Sequence, residues 1–405
     1  MLKNTAMLYL LQFSGYLFSF LTVPYQTRIL GPVLYGVVGV AVATMAYFQL
    51  FMDFGFLLSA TEDISLNRED RAYVSKKLTS VAVIKLAFFL ISLTAVWGLS
   101  LILEPFSQYR QLYLLYVLAY GVNAFLPDYF FRGIEKMSAI TVRTVSVRLL
   151  SCLLTFIFLR SADDYLALPG LMLFGNLVAV VWAYVYIYKT LGYKLCPVLP
   201  GEVWKDLKRS AGFFLARIAS TVYSATNTVV MGYVDPAGVT TGWFTSADKI
   251  MATAKGAIAP ISDSLYPYMV RHKNFSVVKK ALLLGEPVIL AGCALVWIFA
   301  DSLCVFAFGE AFAGTAPVLR AFIPGIACLL PSYVLGFPTL GAMKQTRYAN
   351  RSVFFGTAVH VTGLVCLAVS GRITAVSLAA LTSLSEFAIM AFRIGAVARC
   401  RRKMP

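Results

Sequence analysis

The chain has 405 residues, 59% of them apolar and 13% charged, with a formal net charge of +16. That balance excludes an ordinary soluble fold, whose charged share is about 25%. Seven Cys without pairing or ligand spacing and only two His, His272 and His360, argue against a disulfide scaffold or a His-built metal centre.

Runs of about 20 apolar residues predict twelve transmembrane helices. They lie near residues 6–26, 34–60, 78–103, 110–131, 137–160, 165–189, 209–234, 240–264, 280–302, 315–341, 350–370 and 374–397. The first run has no small-residue cleavage site ahead of it and reads as a retained helix. Short connections require backbone groups to be satisfied inside helices. The segment 191–208, with Pro197, Pro200 and Gly201, marks a joint between two halves, 1–200 and 201–405, of six helices each.

The loops alternate in charge. One side holds Lys3; Arg68, Arg71, Lys76 and Lys77; Arg132, Lys136 and Arg143; and five basic residues between Lys189 and Arg209. It continues with four between Arg271 and Lys280; Lys344, Arg347 and Arg351; and Arg393, Arg399, Arg401, Arg402 and Lys403. These are 25 cations, against four on the other side, Arg28, Arg110, Arg160 and Arg372. The bias places both termini in the cytoplasm, so the net charge reports topology rather than nucleic-acid binding.

Internal similarity supports a duplication. Gly133, Lys136, Ser138 and Arg143 after span four match Gly341, Lys344, Thr346 and Arg351 after span ten, at a constant offset of 208. Spans one and seven each carry a polar stripe at helical spacing: Gln12, Gly15, Ser19, Thr22 and Gln26, and Arg217, Ser220, Thr221, Ser224, Asn227 and Thr228. An uncharged stripe also suits helix packing.

Six cations fall inside spans: Lys85, Arg148, Arg217, Lys249, Lys255 and Arg320. Each costs ~2.5–3.5 kcal/mol at mid-bilayer on insertion scales, so they need acids, headgroups or a shared polar cavity. Lys85 is near enough to one end to snorkel. Asp248 and Lys255 share a face of span eight at too long a spacing for a direct bond, so each calls for another partner. A cavity of positive potential suits an anionic cargo such as a diphosphate. Phosphate-loop and zincin motifs are missing, and Asp163-Asp164 in a short loop is a weak candidate for sugar-nucleotide binding.

Four stretches carry a family resemblance. They are Pro24-Tyr-Gln-Thr-Arg28-Ile-Leu-Gly31-Pro32-Val-Leu-Tyr35-Gly36, Asp53-Phe-Gly55-Phe-Leu-Leu-Ser59-Ala60-Thr61, Pro127-Asp128-Tyr-Phe-Phe-Arg132-Gly133-Ile-Glu135-Lys136-Met137, and Phe213-Phe-Leu-Ala-Arg217. Together they resemble Wzx-type oligosaccharide flippases, the polysaccharide-transporter branch of the MOP superfamily. Val33 and Glu62 depart from that pattern, Glu62 standing where a basic residue is common.

The resemblance implies an all-α polytopic membrane protein, with twelve transmembrane helices in two six-helix bundles around a central cavity. It implies alternating access to the two faces of a bacterial inner membrane. The cargo would be an undecaprenyl-diphosphate-linked oligosaccharide for O-antigen, capsule or exopolysaccharide. Arg28, Arg148, Arg217, Lys249 and Lys255 would contact the diphosphate or acidic sugars; Asp53, Asp128 and Asp248 would serve ion coupling or gating. No cofactor or metal is implied; energy would come from a proton or sodium gradient, membrane potential or cargo consumption. Partners would be membrane lipids and the polysaccharide polymerase and glycosyltransferases of the pathway, with no nucleic acid. The competing readings are a multidrug exporter of the same superfamily, which favours an acidic cavity, and a membrane polysaccharide polymerase, which favours a large extracytoplasmic loop.

The charge bias makes a topology testable. In sealed cells, an impermeant thiol reagent applied outside should label a cysteine placed at Asp163 but not one at Asp70 or Asn274. Labelling at Asp70 or Asn274 contradicts cytoplasmic termini.

Overall fold

Each apolar run folds as a helix, because a backbone in lipid must satisfy its own N–H and C=O groups. The computed structural model describes residues 2–104, 106–235 and 238–401; the side chains of 2–6, 8, 9, 215, 216, 219, 220, 222–224 and 401 lie outside the described set. Ser220 and Ser224 of the span-seven stripe, Lys3 and the basic residues 401–403 fall among these exceptions.

The helices are α1 (Leu2–Asp53), α2 (Phe56–Leu66), α3 (Arg71–Ile102), α4 (Arg110–Ala124), α5 (Asp128–Gly133), α6 (Met137–Phe158), α7 (Ala167–Val185) and α8 (Pro200–Val234). Then come α9 (Val239–His272), α10 (Phe275–Ile298), α11 (Ala300–Phe308), α12 (Thr315–Ala327), α13 (Leu329–Val334), α14 (Thr346–Val369) and α15 (Ala375–Arg401). No β-strand occurs among the described residues.

Nine helical stretches among them are long and apolar enough to cross a membrane. The first contains two crossings, because Gly31 (φ 65°, ψ 175°) breaks α1 in two. The long helices α8 and α9 fall outside the nine because polar residues dilute them. Every one of the twelve expected spans thus has its helix. Large apolar side chains such as Phe20, Ile102 and Val369 point outward, as a lipid-facing surface requires.

The chain forms two compact units: residues 1–30 with 40–221, and 31–39 with 222–405. The first is built on a core of Phe56, Ile64, Leu78, Tyr129, Phe130 and Phe131. Asp53 is followed by Phe54 (φ 38°) and Gly55 (φ 79°), a left-handed turn that ends α1 and starts α2. A Cβ on Gly55 would stand 2.8 Å from the Phe213 Cβ and 2.9 Å from the Phe214 nitrogen. Gly55 therefore serves both the turn and the close passage of α8.

In the second unit, Gly238-x-x-x-Gly242 at the start of α9 lies directly on residues 31–39. A Cβ on Gly242 would be 2.0 Å from the Pro32 carbonyl oxygen, and one on Gly36 2.4 Å from the Gly238 carbonyl. Backbones meet without side chains between them, the packing that small residues permit in lipid. The Gly31-Pro32-x-x-x-Gly36 signature has a structural reason here.

The two loops compared above share a turn, but one residue out of the expected register. Glu135 (φ 58°) and Lys344 (φ 57°) are the left-handed residues. Lys136 donates to the Phe131 carbonyl and Gln345 to the Leu340 carbonyl. The backbone geometry repeats at 209, so the identities at 208 do not mark equivalent positions.

The joint after α7 carries no regular secondary structure over 192–199. Its backbone N–H groups at Lys194 and Cys196 donate to the Ser75 and Thr79 hydroxyls, one turn apart on α3. Pro200 then opens α8 at a position where its missing N–H costs nothing. The start of α8 is held by buried ions. Lys77, 8% exposed at its side chain, pairs with Asp63 at 2.8 Å and with Asp206; Arg209 pairs with Asp63 at 2.5 Å. Lys76 pairs with Glu202 at 3.3 Å in the open. The Leu199 N–H and the Lys76 ammonium hold the Glu202 carboxyl below the usual carboxylate range.

Neighbouring lysines therefore differ in weight. Lys77→Ala takes the cation from the buried Asp206 carboxylate and leaves Asp63 with Arg209 alone, and should cost about 3–5 kcal/mol, whereas Lys76→Ala should cost under about 1 kcal/mol. Thermal unfolding of the purified variants in detergent checks the contrast; equal losses contradict it.

Candidate functional site

Six helices of the first unit converge on a polar cavity of about 250 Å³, lined by Gln49, Asp53, Leu57, Lys85, Asn123, Leu126, Asp128, Tyr129 and Arg217. Gln49 and Asp53 are one turn apart at the end of α1 and so share a face. Lys85 comes from α3, Asn123 from α4, Asp128 and Tyr129 from α5, and Arg217 from α8.

Lys85 is buried at 4% exposure. Its ammonium donates to the Ala124 carbonyl at 2.5 Å, lies 3.4 Å from Asp53 and sits 5.5 Å over the Tyr129 ring. Ala124 is the last residue of α4, where carbonyls lack helical partners and the dipole favours a cation. Snorkelling is thereby excluded for Lys85. Asp128, in the first turn of α5, accepts from Arg143 at 2.6 Å. Arg143 is itself buried at 4%, although its sequence position read as a loop cation. The buried Tyr129 hydroxyl and the Arg143 Nε and Nη1 atoms have no hydrogen-bond partner within the described protein, which leaves them for water or a bound polar group.

The structure thus brings three expected residues, Asp53, Asp128 and Arg217, into one cavity. Arg28 and Arg148, also in this unit, do not line it. Arg28 is exposed. Arg148 donates to the Leu11 carbonyl at 2.8 Å and to Ser14 at 3.5 Å, packed against Gly15. Glu62, the departure from the family pattern, answers Arg209 at 3.5 Å.

The second unit holds a separate buried network. Lys255 on α9 pairs with Glu386 on α15 at 2.7 Å, which supplies the partner that its spacing from Asp248 called for. Asp248 is in no ion pair among the described residues, and Lys249 is exposed. His360 on α14 is fully buried between Ser385 and Asn227. Arg393, another apparent loop cation, is buried and donates to the Ser332 carbonyl at 2.6 Å and to Ser352 at 2.8 Å. Arg320 pairs with Asp301 at 2.5 Å near an exposed helix end. Asp164, half of the acidic pair at 163–164, accepts from the backbone N–H groups of Arg160 and Ser161 and caps a short helical turn.

A family profile described as polysaccharide biosynthesis protein matches residues 1–273. The chain belongs to this family. It is a multi-pass helical membrane protein, and the family agrees with the resemblance carried by the Gly31–Gly36, Asp53–Thr61 and Pro127–Met137 motifs. A relative named "Putative O-antigen transporter" from Escherichia coli K12 is 28% identical over 287 residues, 69% of each chain. Two solved structures share the fold of this polysaccharide biosynthesis protein. The lipid II flippase MurJ in an inward closed conformation superposes with a TM-score of 0.76 at 14% identity, over 98% of this chain and 88% of that one. A multidrug resistance MATE transporter of the MOP superfamily gives 0.75 at 12% identity, over 96% of both chains. The fold fits both transporter types, so substrate class rests on the family and the site chemistry.

Proposed function

We propose that the protein is a flippase of the bacterial inner membrane. Its cargo is an undecaprenyl-diphosphate-linked oligosaccharide repeat unit, moved from the cytoplasmic to the outer leaflet by alternating access for O-antigen, capsule or exopolysaccharide synthesis. The observation that carries this reading is the polar cavity of the first unit. It gathers a guanidinium, an ammonium, two carboxylates, two carboxamides and a phenol within a lipid-embedded helical unit. Carboxamides, carboxylates and a phenol match sugar hydroxyls; Arg217 and Lys85 match phosphate oxygens. The family and the relative's name support a polysaccharide-linked cargo.

Size and charge speak against a multidrug exporter. The cavity is smaller than the ~300–1,000 Å³ of drug-sized sites, and its carboxylates already face Lys85 and Arg143 rather than awaiting a lipophilic cation. A volume of this size takes one sugar ring or a phosphate group, which suits a site that grips the head of a long amphipathic molecule. The polymerase reading is set aside because the family and its relative point to a transporter.

Arg217 is the residue to test. Purified protein in vesicles loaded with lipid-linked oligosaccharide should expose the sugar to an external lectin or glycosidase at a rate above that of empty vesicles. Arg217→Ala should lower that rate at least ten-fold with membrane abundance unchanged, and Arg217→Lys should restore part of it. Wild-type rates in the alanine variant remove Arg217 from cargo handling; no transport by the wild type sinks the flippase reading.

A further inference from the structure

The helices α10, α12 and α15 of the second unit leave a groove of about 530 Å³ between them, lined by Trp297, Ala321, Pro324, Leu384 and Phe387 among others. Trp297, Leu384 and Phe387 are about half exposed, so the groove opens on the surface that faces lipid. Water finds few polar partners in such a space, and an empty groove forfeits dispersion contacts. A hydrocarbon chain is the occupant that the surroundings supply.

The groove has the length of one leaflet. Trp297 in the last turn of α10, Arg320 in the second turn of α12 and Val376 at the start of α15 mark one end, and Cys328 and Phe387 mark the other. The steps from Arg320 to Cys328 and from Val376 to Phe387 rise roughly 12–16 Å along their helices. Half of the hydrocarbon core is about 15 Å.

Its floor is a break in span ten. Ser383 on α15 donates to the Ala321 carbonyl at 2.6 Å and accepts from the Gly325 N–H at 3.1 Å. A side-chain hydroxyl thus stands where α12 would close its own backbone bond, and Pro324 beside it has no N–H to give. A Cβ on Gly325 would stand 2.9 Å from the Ser383 Cα. The two backbones therefore meet at the floor and leave the depression above them.

The mouth carries both signs of charge. Arg320 Nε donates to the Trp297 carbonyl at 3.2 Å, while Nη1 and Nη2 face the Asp301 oxygens at 3.5 and 2.5 Å. Two of the five guanidinium N–H groups keep no acceptor among the described residues. The Asp301 side chain is 68% exposed and open to a second donor. A headgroup with a phosphate next to an ammonium answers both. A lipid diphosphate brings only negative charge to Asp301, and a choline head has no N–H to donate.

We propose that this groove is a phospholipid site. One acyl chain lies between α10, α12 and α15, the phosphate accepts from Arg320, and a primary ammonium donates to Asp301. The ligand is a zwitterionic phospholipid of the ethanolamine class, in the leaflet opposite the basic loops 271–280 and 344–351. The site shares no residue with the polar cavity of the first unit and does not rest on the transport reading.

Native mass spectrometry of the full-length protein tests the site. Delipidated protein is offered phosphatidylethanolamine, phosphatidylglycerol and phosphatidylcholine of identical chains in equal amounts. The wild type should retain phosphatidylethanolamine several-fold over either of the others. Asp301→Asn takes away the partner of the ammonium, leaves Arg320 to the phosphate, and should shift the preference several-fold towards phosphatidylglycerol. Ala380→Trp sets a ring into the groove from an exposed position and should abolish retention whatever the headgroup, at an unchanged melting temperature. Equal retention of the three lipids by the wild type overturns the proposal, as does an unchanged preference in Asp301→Asn or undiminished retention in folded Ala380→Trp. The Asp301 arm alters an exposed carboxylate and no helix packing, so it decides the matter even where the groove variant folds poorly.

Discussion

A charge carried into lipid must bring its own partner. Insertion of a lone Lys, Arg or Asp at mid-bilayer costs ~2.5–3.5 kcal/mol even on the mildest scales. The pairs Lys85–Asp53, Arg143–Asp128 and Lys255–Glu386 meet that requirement within individual units. Their placement decides where polar cavities can exist. The first unit is apolar outward, yet gathers Gln49, Asn123, Tyr129 and Arg217 around two of these pairs. The second gathers Asn227, His360 and Ser385 beside the third.

The same constraint separates structural from functional charge. Lys77, Asp63, Asp206 and Arg209 neutralise one another around the joint and the start of α8, where their evident work is to fix a helix. Arg393 is bound by two serines and wedged against Gly336. Around the first cavity, by contrast, the buried Tyr129 hydroxyl is left open. Unfilled hydrogen-bonding capacity next to partnered charge is what a site needs to grip a polar headgroup and release it again.

Hydropathy made the twelve spans legible, because lipid imposes a local rule on every residue that faces it. Gly31 and Gly55 stood out as motif letters, and their positive φ explains why. Asp53, Asp128 and Arg217 were legible as polar residues inside apolar runs, and they meet. Arg143, Lys77 and Arg393 were not: positive residues near span ends look alike whether they reach into water or turn inward. Partnership is set by contacts remote in sequence, such as Lys77 with Asp206 or His360 with Asn227, separated by 129 and 133 residues. The sequence counts His360 only against a metal centre, because a single His in an apolar helix carries no periodic signal of a buried network. The repeat register slipped by one because short basic loops match by composition, whereas hydrogen-bonded turns match by geometry.

The central claim is that the buried charges are structurally neutralised in pairs while remaining available to function. A double-mutant cycle on Lys255 and Glu386 tests it, reading thermal stability and vesicle transport together. Lys255→Met alone leaves a buried carboxylate and should destabilise by about 3–5 kcal/mol. Adding Glu386→Gln should recover most of that stability, since a neutral pair of similar volume replaces the ions, yet transport should stay below a tenth of the wild-type rate. A single variant as stable as wild type, or a stable double variant that transports normally, would contradict the account.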